Sequence, residues 1–429
     1  MDVCCSKLTK KWFNLTVIAA AIFYLAWTIL VVFLSDRTDD FRTYLIAAYG
    51  FSHGANMYLS PDLFLEIGKQ IGLMDHGGHY WYSLFPAVLV WPLTFLPYQL
   101  AAAIWVFASG LAALGAAVIL GLQADKLWKR ILIVAAVVFF VPILSTMRFG
   151  QVNTFVLLAT SGAIYAWGRY RERLGGSLLA TSLWLKPFSL PLVALMFWRK
   201  RLRTLTWLFI ASLVVVLVGA LAFGLGPALD QFAASSQRLG WGSLEPEPDN
   251  QNLNGLIGRW LTPNEFVSAP LVNASPIAID IYWIAAAALA LASLGVLWPM
   301  GTGKHAIALE AALLTSLAHL VSPLTEYFHL TMIFIGIALL IDAWRDWRSS
   351  KWSILALTIA YIFIDAEGLV LASLSGTLFS IPMITNPGWM SPFLDLAIWA
   401  QMIIWALLAL QIRKGAIGIL QQKPLVKAY

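Results

Sequence analysis

Three carboxylates lie close together directly after the first long apolar run of the chain: Asp36, Asp39 and Asp40. A run with helical spacing follows them, and this stretch ends near Tyr58. A carboxylate beside a short amphipathic helix at a membrane surface can accept a proton from a polar substrate while a lipid lies alongside. The pattern therefore predicts that Asp40 acts as a general base.

A second group of polar residues lies at the junction of two apolar segments, in the run Arg148-Phe-Gly-Gln151-Val-Asn153. One guanidinium and two amides supply many hydrogen-bond donors, which suits recognition of a phosphate or a sugar. The alternative is a polar turn in which the arginine reaches out of the membrane to its surface. Composition alone leaves both interpretations open.

Lys186 precedes Pro187 in the middle of an apolar segment. A lysine at membrane depth is costly and usually functional, because it needs an anion or a water-filled cavity beside it. The alternative is a lysine whose long side chain extends to the cytosolic surface. We expect Lys186 to bind an anionic group.

Glu326 and His329 follow the dipeptide Ser322-Pro323, which should interrupt a helix. They are three residues apart and therefore share one helix face. The pair could serve as an acid and base or could position a substrate. It could equally be a glutamate that caps a helix, beside an interfacial histidine.

Asp365 and Glu367 lie in another apolar segment and are functional candidates for that reason. Being two residues apart, they cannot share one helix face, and one of them could pair with a neighbouring helix.

The chain has no P-loop, no GxGxxG motif, no HExxH motif and no CxxC cluster, which argues against nucleotide hydrolysis, a Rossmann cofactor and structural zinc. We expect no cofactor; Asp39 and Asp40 could hold a divalent cation, but two carboxylates make a poor metal site.

The elements that must position these residues are transmembrane helices. Of the 429 residues, 60% are hydrophobic and 12% are charged, compared with about 25% charged in soluble domains. Apolar runs of about 20 residues recur along the chain and predict an all-α polytopic membrane protein. The net charge of +6 then reflects membrane topology and does not indicate a nucleic-acid partner.

We predict one integral-membrane domain over residues 1–429, with about ten crossing helices. The distribution of Lys and Arg places both termini in the cytosol. It also places two long loops, about 35–97 and 227–276, on the outer side. The first should contain a short helix near 62–66 and, near 83–97, a re-entrant or interfacial element. The ten crossings are expected near residues 12–34, 98–122, 131–147, 154–168, 204–226, 277–299, 306–321, 327–343, 352–373 and 394–412.

The segment 174–198 has basic clusters on both sides, so both of its ends should be cytosolic. It is too short to cross the membrane twice, since a helix rises only about 1.5 Å per residue. We therefore expect a re-entrant hairpin of two half-helices with Lys186-Pro187 at its tip.

Five motifs follow one another along the chain: Asp40-Phe-Arg-Thr-Tyr44, Arg148–Asn153, Lys186-Pro187, Asn250-Gln-Asn-Leu-Asn-Gly255 with Arg259, and Ser322-Pro323 with His329. In this order they resemble the motifs of glycosyltransferase family 87, which uses polyprenyl-phosphate sugars and has the GT-C membrane fold. The chain departs from the family pattern at Glu326 and Phe328, which occupy positions where the family often has Trp and His.

The resemblance implies a GT-C-like fold in which Asp40 is the general base and His329 assists near the donor or acceptor. Transfer from a lipid phosphate also needs cations to stabilise the departing phosphate, and the candidates are Arg148, Lys186 and Arg259. Further substrate contacts are expected from Asp39, Tyr44, Gln151, Asn153, Asn250, Asn254 and Glu326.

The expected reaction moves a hexose, with mannose as the first expectation, from a polyprenyl-phosphate sugar to a lipid-linked or glycan acceptor. The reaction should invert the configuration at the anomeric carbon of the sugar. It should occur at the outer face of the plasma membrane, among membrane lipids. One alternative is an arabinofuranosyl transferase on the same scaffold. Another is a transporter or flippase without chemistry of its own, for which Lys186, Asp365 and Glu367 would mark a substrate path.

Overall fold

The computed structural model describes residues 2–35, 38–73, 79–237, 242–264, 270–298, 304–344, 347–378 and 395–421. Within these ranges the secondary structure is helical, apart from an isolated antiparallel bridge between Asn250 and Glu326. The predicted all-α class is therefore confirmed. The chain forms two compact units, residues 1–163 with 172–240 and residues 164–171 with 241–429. That the whole chain forms one domain stays a prediction.

The first unit begins with the long apolar helix that the sequence predicts, and the helix ends in a π-helical turn. Short helices follow where the first outer loop was expected. Its elements are α1 Asp2–Ile29 with the π-helical Leu30–Ser35, α2 Asp39–Ser52, α3 Pro61–Gln70, α4 Leu84–Val90 with the 3-10 turn Trp91–Phe95, α5 Tyr98–Gly121, α6 Leu127–Phe139, α7 Val141–Phe149, α8 Asn153–Trp167, α9 Glu172–Leu185, the 3-10 turn Pro187–Ser189, α10 Leu190–Trp198, α11 Leu202–Phe223 and α12 Leu225–Gln237.

The second unit also receives the C-terminal end of α8. In it α17 packs against α18, α15 packs against α18, and α13 packs against α14. Its elements are α13 Leu253–Leu261, the 3-10 turn Ser275–Ile277, α14 Ala278–Leu297, α15 Lys304–Val321, the 3-10 turn Tyr327–Ile333, α16 Phe334–Ala343, α17 Trp347–Leu378 and α18 Leu396–Gln421.

Six described helices are long and apolar enough to cross a membrane. This confirms a multi-pass membrane protein, whereas the predicted total of ten crossings stays a prediction. Predicted crossings near 154–168, 306–321 and 327–343 correspond to helices that are too short to meet this criterion. The six segments are Lys11–Ser35, Tyr98–Gly121, Leu202–Phe223, Ser275–Leu297, Ser350–Leu369 and Leu396–Gly415.

The predicted crossing near 131–147 is a bent pair of helices, α6 and α7, which meet at an angle of 46°. The break falls at Phe140, whose backbone is extended. Pro142 lies in the first turn of α7, where its missing N–H costs nothing, whereas inside a continuous helix its ring would clash with the preceding turn. The proline therefore explains why one apolar run forms two helices.

A second break separates α9 from α10 at Lys186, which has an extended backbone (φ −162°, ψ 134°). The following Pro187 disfavours helical geometry at the residue before it. Three buried hydroxyls meet beside the break, because Ser182 contacts Ser189 at 2.6 Å and Thr160 contacts both. The predicted pair of half-helices is thus present, while its re-entry into the membrane stays a prediction.

The turn between α7 and α8 depends on Gly150. This residue has φ +70°, a left-handed conformation that glycine adopts without steric cost. A Cβ atom at this position would lie 2.6 Å from the Cβ of Phe41. Gly150 therefore allows α2, at the residue directly after Asp40, to approach the turn that carries Gln151.

Candidate active site

Four segments of the first unit bring polar side chains together: α2, the segment before α4, the turn between α7 and α8, and the break after α9. None of these positions lies next to another in sequence, so only folding assembles them. We call the resulting cluster the Gln151 network, and it consists of Asp40, Tyr44, Tyr82, Gln151, Asn153 and Lys186.

A continuous series of hydrogen bonds runs through the Gln151 network. The Tyr44 hydroxyl donates to Gln151 Oε1 at 2.7 Å. Gln151 Nε2 donates to the Tyr82 hydroxyl oxygen at 2.8 Å. The Tyr82 hydroxyl in turn donates to Asp40 Oδ1 at 3.0 Å. The half-buried Asp40 carboxylate thus ends a series of donors that starts in the interior.

Lys186 is only 8% exposed and joins the same network. Its ammonium donates to Gln151 Oε1 at 3.3 Å and to Asn153 Oδ1 at 3.4 Å, both longer than an ordinary N–H···O bond. The nitrogen also lies 5.6 Å from the ring centroids of Tyr82 and Phe188, within cation–π range. A phosphate oxygen would be a stronger acceptor than either neutral amide oxygen. The role of Lys186 in binding an anionic group stays a prediction.

Burial controls the protonation of Tyr44. Loss of solvation raises the pKa of Tyr44 well above its ordinary value, and the neighbouring Tyr82 and Asp40 raise it further. The hydroxyl therefore keeps its proton at neutral pH and acts as a donor to Gln151. Its ring packs edge-on against Tyr82 at 4.8 Å, which fixes both side chains.

Two other predicted residues of the first unit lie at its periphery. Asp39 is exposed, and its Oδ1 lies 3.7 Å from Nη1 of Arg42 on the same helix. Arg148 is half-buried in the last turn of α7, and its guanidinium carbon lies 5.8 Å from the Phe149 ring centroid. The predicted roles of Asp39 in substrate binding and of Arg148 in phosphate binding stay predictions.

In the second unit, the amides of the motif Asn250–Gly255 hold the preceding loop in place. Asn250 Nδ2 donates to the Glu245 carbonyl at 2.8 Å, and Asn250 Oδ1 accepts from Thr325 N at 2.8 Å. Asn254 accepts from Glu245 N at 2.6 Å. A Cβ atom on Gly255 would collide with the Asn250 carbonyl oxygen. These contacts account for the motif structurally, and substrate binding by Asn250 and Asn254 stays a prediction.

Arg259 is completely buried and forms an ion pair with Asp395. Its Nε lies 3.0 Å from Asp395 Oδ1, and its Nη1 donates to the Glu247 carbonyl at 2.6 Å. Trp260 donates to the second carboxylate oxygen of Asp395 at 2.7 Å. Burial raises the pKa of Asp395, and Arg259 opposes that shift. The arginine predicted to bind phosphate therefore stabilises the fold in this structure.

Glu326 and His329 form a capping box at the start of a 3-10 turn, so the glutamate caps a helix as one interpretation proposed, whereas His329 is buried. A role of the pair in catalysis or substrate positioning stays a prediction. Glu326 N donates to His329 Nδ1 at 3.0 Å, so the ring proton resides on Nε2. His329 Nε2 then lies 3.3 Å from Glu326 Oε2 and acts as the donor. In this tautomer His329 can donate a hydrogen bond but cannot accept a proton at Nε2.

Glu367 pairs with neighbouring elements, as the second interpretation of the acidic pair proposed. Its carboxylate accepts from Gln251 Nε2 at 2.9 Å and from the backbone N–H of Ala397, at the start of α18, also at 2.9 Å. Glu367 on α17 thus connects this helix to the segment before α13, which carries Gln251, and to α18. The contacts of Glu367 are those of a structural residue.

Tyr82 and Asp395 are important residues that the sequence analysis missed. Tyr82 belongs to the aromatic run Tyr80-Trp-Tyr82 at the end of the first loop, and this cluster of rings was an available signal. Asp395 gave no signal, because its partner Arg259 lies 136 residues earlier in the chain. Among the described residues, no three His, Cys, Asp or Glu side chains lie close enough to hold a metal ion.

Comparison with known proteins identifies a family. The sequence model of glycosyltransferase family 87 matches residues 80–323, which is more than half of the chain. The match includes Tyr82, Gln151 and Lys186, whereas Asp40 and His329 lie outside it. No curated protein and no solved structure matches the chain significantly.

Proposed function

The chain belongs to glycosyltransferase family 87, and on that premise we propose that it transfers a hexose, with mannose as the first candidate, from a polyprenyl-phosphate donor. The acceptor is a lipid-linked sugar or a glycan. The reaction takes place at the outer face of the plasma membrane, with both termini in the cytosol. The distribution of Lys and Arg supports this orientation.

The observation that carries the proposal is the Gln151 network, which links a half-buried carboxylate to a buried lysine. Such a transfer needs a base for the acceptor hydroxyl and a cation for the phosphate leaving group. Asp40 and Lys186 supply these two groups in one unit and are connected through Tyr82 and Gln151.

We propose a single displacement at the anomeric carbon of the donor sugar. Asp40 accepts the proton of the acceptor hydroxyl while that oxygen forms the new bond to the anomeric carbon. The bond from this carbon to the phosphate oxygen breaks on the opposite face, so the configuration inverts. The phosphate oxygen keeps the electron pair, and the lipid phosphate leaves stabilised by Lys186 and Arg148.

The predicted residues of the second unit have supporting roles in this proposal. We propose that His329, through its Nε2–H, and Glu326 shape the loop after α15 for substrate binding. The buried contacts of Asn250, Asn254 and Arg259 favour a role in holding the loop before α13. Phosphate binding thus depends mainly on Lys186 and Arg148.

A donor screen with purified protein tests the proposal. The protein, reconstituted in lipid nanodiscs, is given polyprenyl-phosphate mannose, glucose or arabinofuranose, together with lipid extracts as acceptors. We expect incorporation from the mannose donor and an inverted linkage in the product. Transfer from the arabinofuranose donor alone would establish the pentose alternative. Absence of transfer from every donor, with protein-dependent movement of a lipid sugar across vesicles, would contradict the transferase proposal.

Replacing Lys186 by Met should impair use of the donor more than use of the acceptor. The ammonium contacts the departing phosphate, and a charge-assisted hydrogen bond contributes about 1.5–3 kcal/mol, which corresponds to a loss of about 10–150-fold in kcat/KM for the donor. Steady-state kinetics with each substrate varied in turn measures this effect. The exposed Lys69 on α3 provides the control Lys69→Met. Equal losses for both substrates, or none, would argue against phosphate binding by Lys186.

A further inference from the structure

We propose that Tyr82 is a positioning residue for Asp40: it orients the carboxylate, stabilises its ionised form, and couples it through Gln151 to Lys186. This inference rests on the proposed function, because it concerns the reactivity of the base. It goes beyond the motifs described above, none of which includes Tyr82.

The direction of each hydrogen bond follows from the donors around the Gln151 amide. Gln151 Oε1 receives the Tyr44 hydroxyl, the Val152 N–H at 3.2 Å and the Lys186 ammonium, so this atom must be the oxygen. The nitrogen of the amide therefore points towards Tyr82 and donates to its hydroxyl oxygen. The Tyr82 hydrogen is then directed to Asp40 Oδ1, which as a carboxylate oxygen can only accept.

A phenol that donates to a carboxylate changes that group in two ways. It restricts rotation of the carboxylate, because Tyr82 is itself held between Tyr44 and Tyr80 at ring distances of 4.8 and 5.7 Å. It also stabilises the ionised form over the protonated form, since the protonated form is a weaker acceptor. Tyr82 thus keeps the Asp40 carboxylate ionised down to a lower pH, and only the ionised carboxylate can act as a base.

Other charged or titratable groups lie on the helix of Asp40 and on the elements around it. On its own helix these are Asp39, Arg42 and Tyr44, and beyond that helix they are Tyr80, Tyr82 and Lys186. Arg148 lies on α7, and α2 also packs against α3 and α11. The groups on those two helices are Asp62, Glu66, Lys69 and Arg203.

Lys186 strengthens the effect of Tyr82 through the amide between them. Its positive charge near Gln151 Oε1 polarises the amide, which makes Nε2–H a better donor to Tyr82 and Tyr82 a better donor to Asp40. A phosphate bound at Lys186 would reduce this polarisation. Binding of the donor should therefore make Asp40 a stronger base when the acceptor is to be deprotonated.

The test is the pH dependence of kcat/KM for the acceptor, at saturating polyprenyl-phosphate sugar, in wild type and in Tyr82→Phe. Loss of the donor hydroxyl destabilises the ionised carboxylate, so the acid limb should move to higher pH by about one unit. Gln151→Met, which retains Tyr82 but removes the coupling, should move the limb in the same direction by less. The control Tyr49→Phe removes a hydroxyl from α2 and should leave the acid limb in place.

Each result of this test decides one question. An unshifted acid limb in Tyr82→Phe, in protein with the wild-type unfolding temperature, would overturn the role of Tyr82. Should Tyr82→Phe fold poorly, a Gln151→Met limb identical to wild type would overturn the coupling. If Asp40→Asn retained transfer activity, the base would be another residue and the role of Tyr82 would fail with it. Absence of sugar transfer by the wild type from every donor would overturn the proposed function itself, whatever Tyr82→Phe shows.

Discussion

Asp40→Asn should lower the rate of sugar transfer by about 10²–10⁴-fold, which is the usual contribution of a general base. Asparagine has nearly the same shape as aspartate and can still accept a hydrogen bond from Tyr82, but it cannot accept a proton at neutral pH. The protein should therefore insert and fold normally. Transfer of radiolabelled sugar from the polyprenyl-phosphate donor by purified protein measures the loss.

Glu66→Gln is the matched control for this prediction. Glu66 is an exposed carboxylate on the short helix α3 of the same unit, so its neutralisation changes the net charge equally without touching the Gln151 network. We expect this variant to transfer sugar at the wild-type rate. Near-normal transfer by Asp40→Asn would assign the base to another residue.

Arg259→Met should destabilise the protein by about 3–5 kcal/mol, as expected when one partner of a buried ion pair is removed. The carboxylate of Asp395 would remain in a fully buried site with only the Trp260 N–H as a donor among its described side-chain partners. The loop carbonyls of Glu247 and Asn250 would also lose the hydrogen bonds that Arg259 donates to them. Thermal unfolding in detergent, followed by tryptophan fluorescence, measures the change.

The destabilisation of Arg259→Met should increase with pH. Burial raises the pKa of Asp395, and removal of Arg259 removes the attraction that opposes this shift. Asp395 in the folded variant then binds a proton that it releases on unfolding. Because the folded state binds more protons, the free energy of unfolding falls as pH rises from the unfolded pKa towards the folded one. The variant should therefore be least impaired near pH 4 and more impaired at pH 7.

Two further variants separate a structural role of Arg259 from phosphate binding. The double replacement Arg259→Met with Asp395→Leu removes both charges and should recover much of the lost stability. Arg171→Met, at an exposed position of the same unit, should leave the unfolding temperature unchanged. If Arg259→Met kept wild-type stability but lost affinity for the donor, the original prediction of a phosphate ligand would be correct.

Local sequence determined the helices, their apolar character and their interruptions. The Pro187 effect on Lys186 and the Ser60-Pro61 start of α3 act over one or two residues, so sequence alone predicts them. The membrane class follows from composition, and the order of the motifs indicated the family that the comparison then showed. Even the bend at Phe140 had a local cause in Pro142, which the sequence analysis did not weigh.

Tertiary structure decided which polar side chains meet. Gln151 contacts Tyr44 and Tyr82 across 107 and 69 residues, and Arg259 reaches Asp395 across 136. Helical periodicity describes only neighbours within one or two turns of the same helix. It therefore cannot distinguish an arginine that forms a buried ion pair from one that binds a phosphate. That distinction depends on close packing between distant helices, which brings a partner within hydrogen-bond distance or leaves the group open to a ligand.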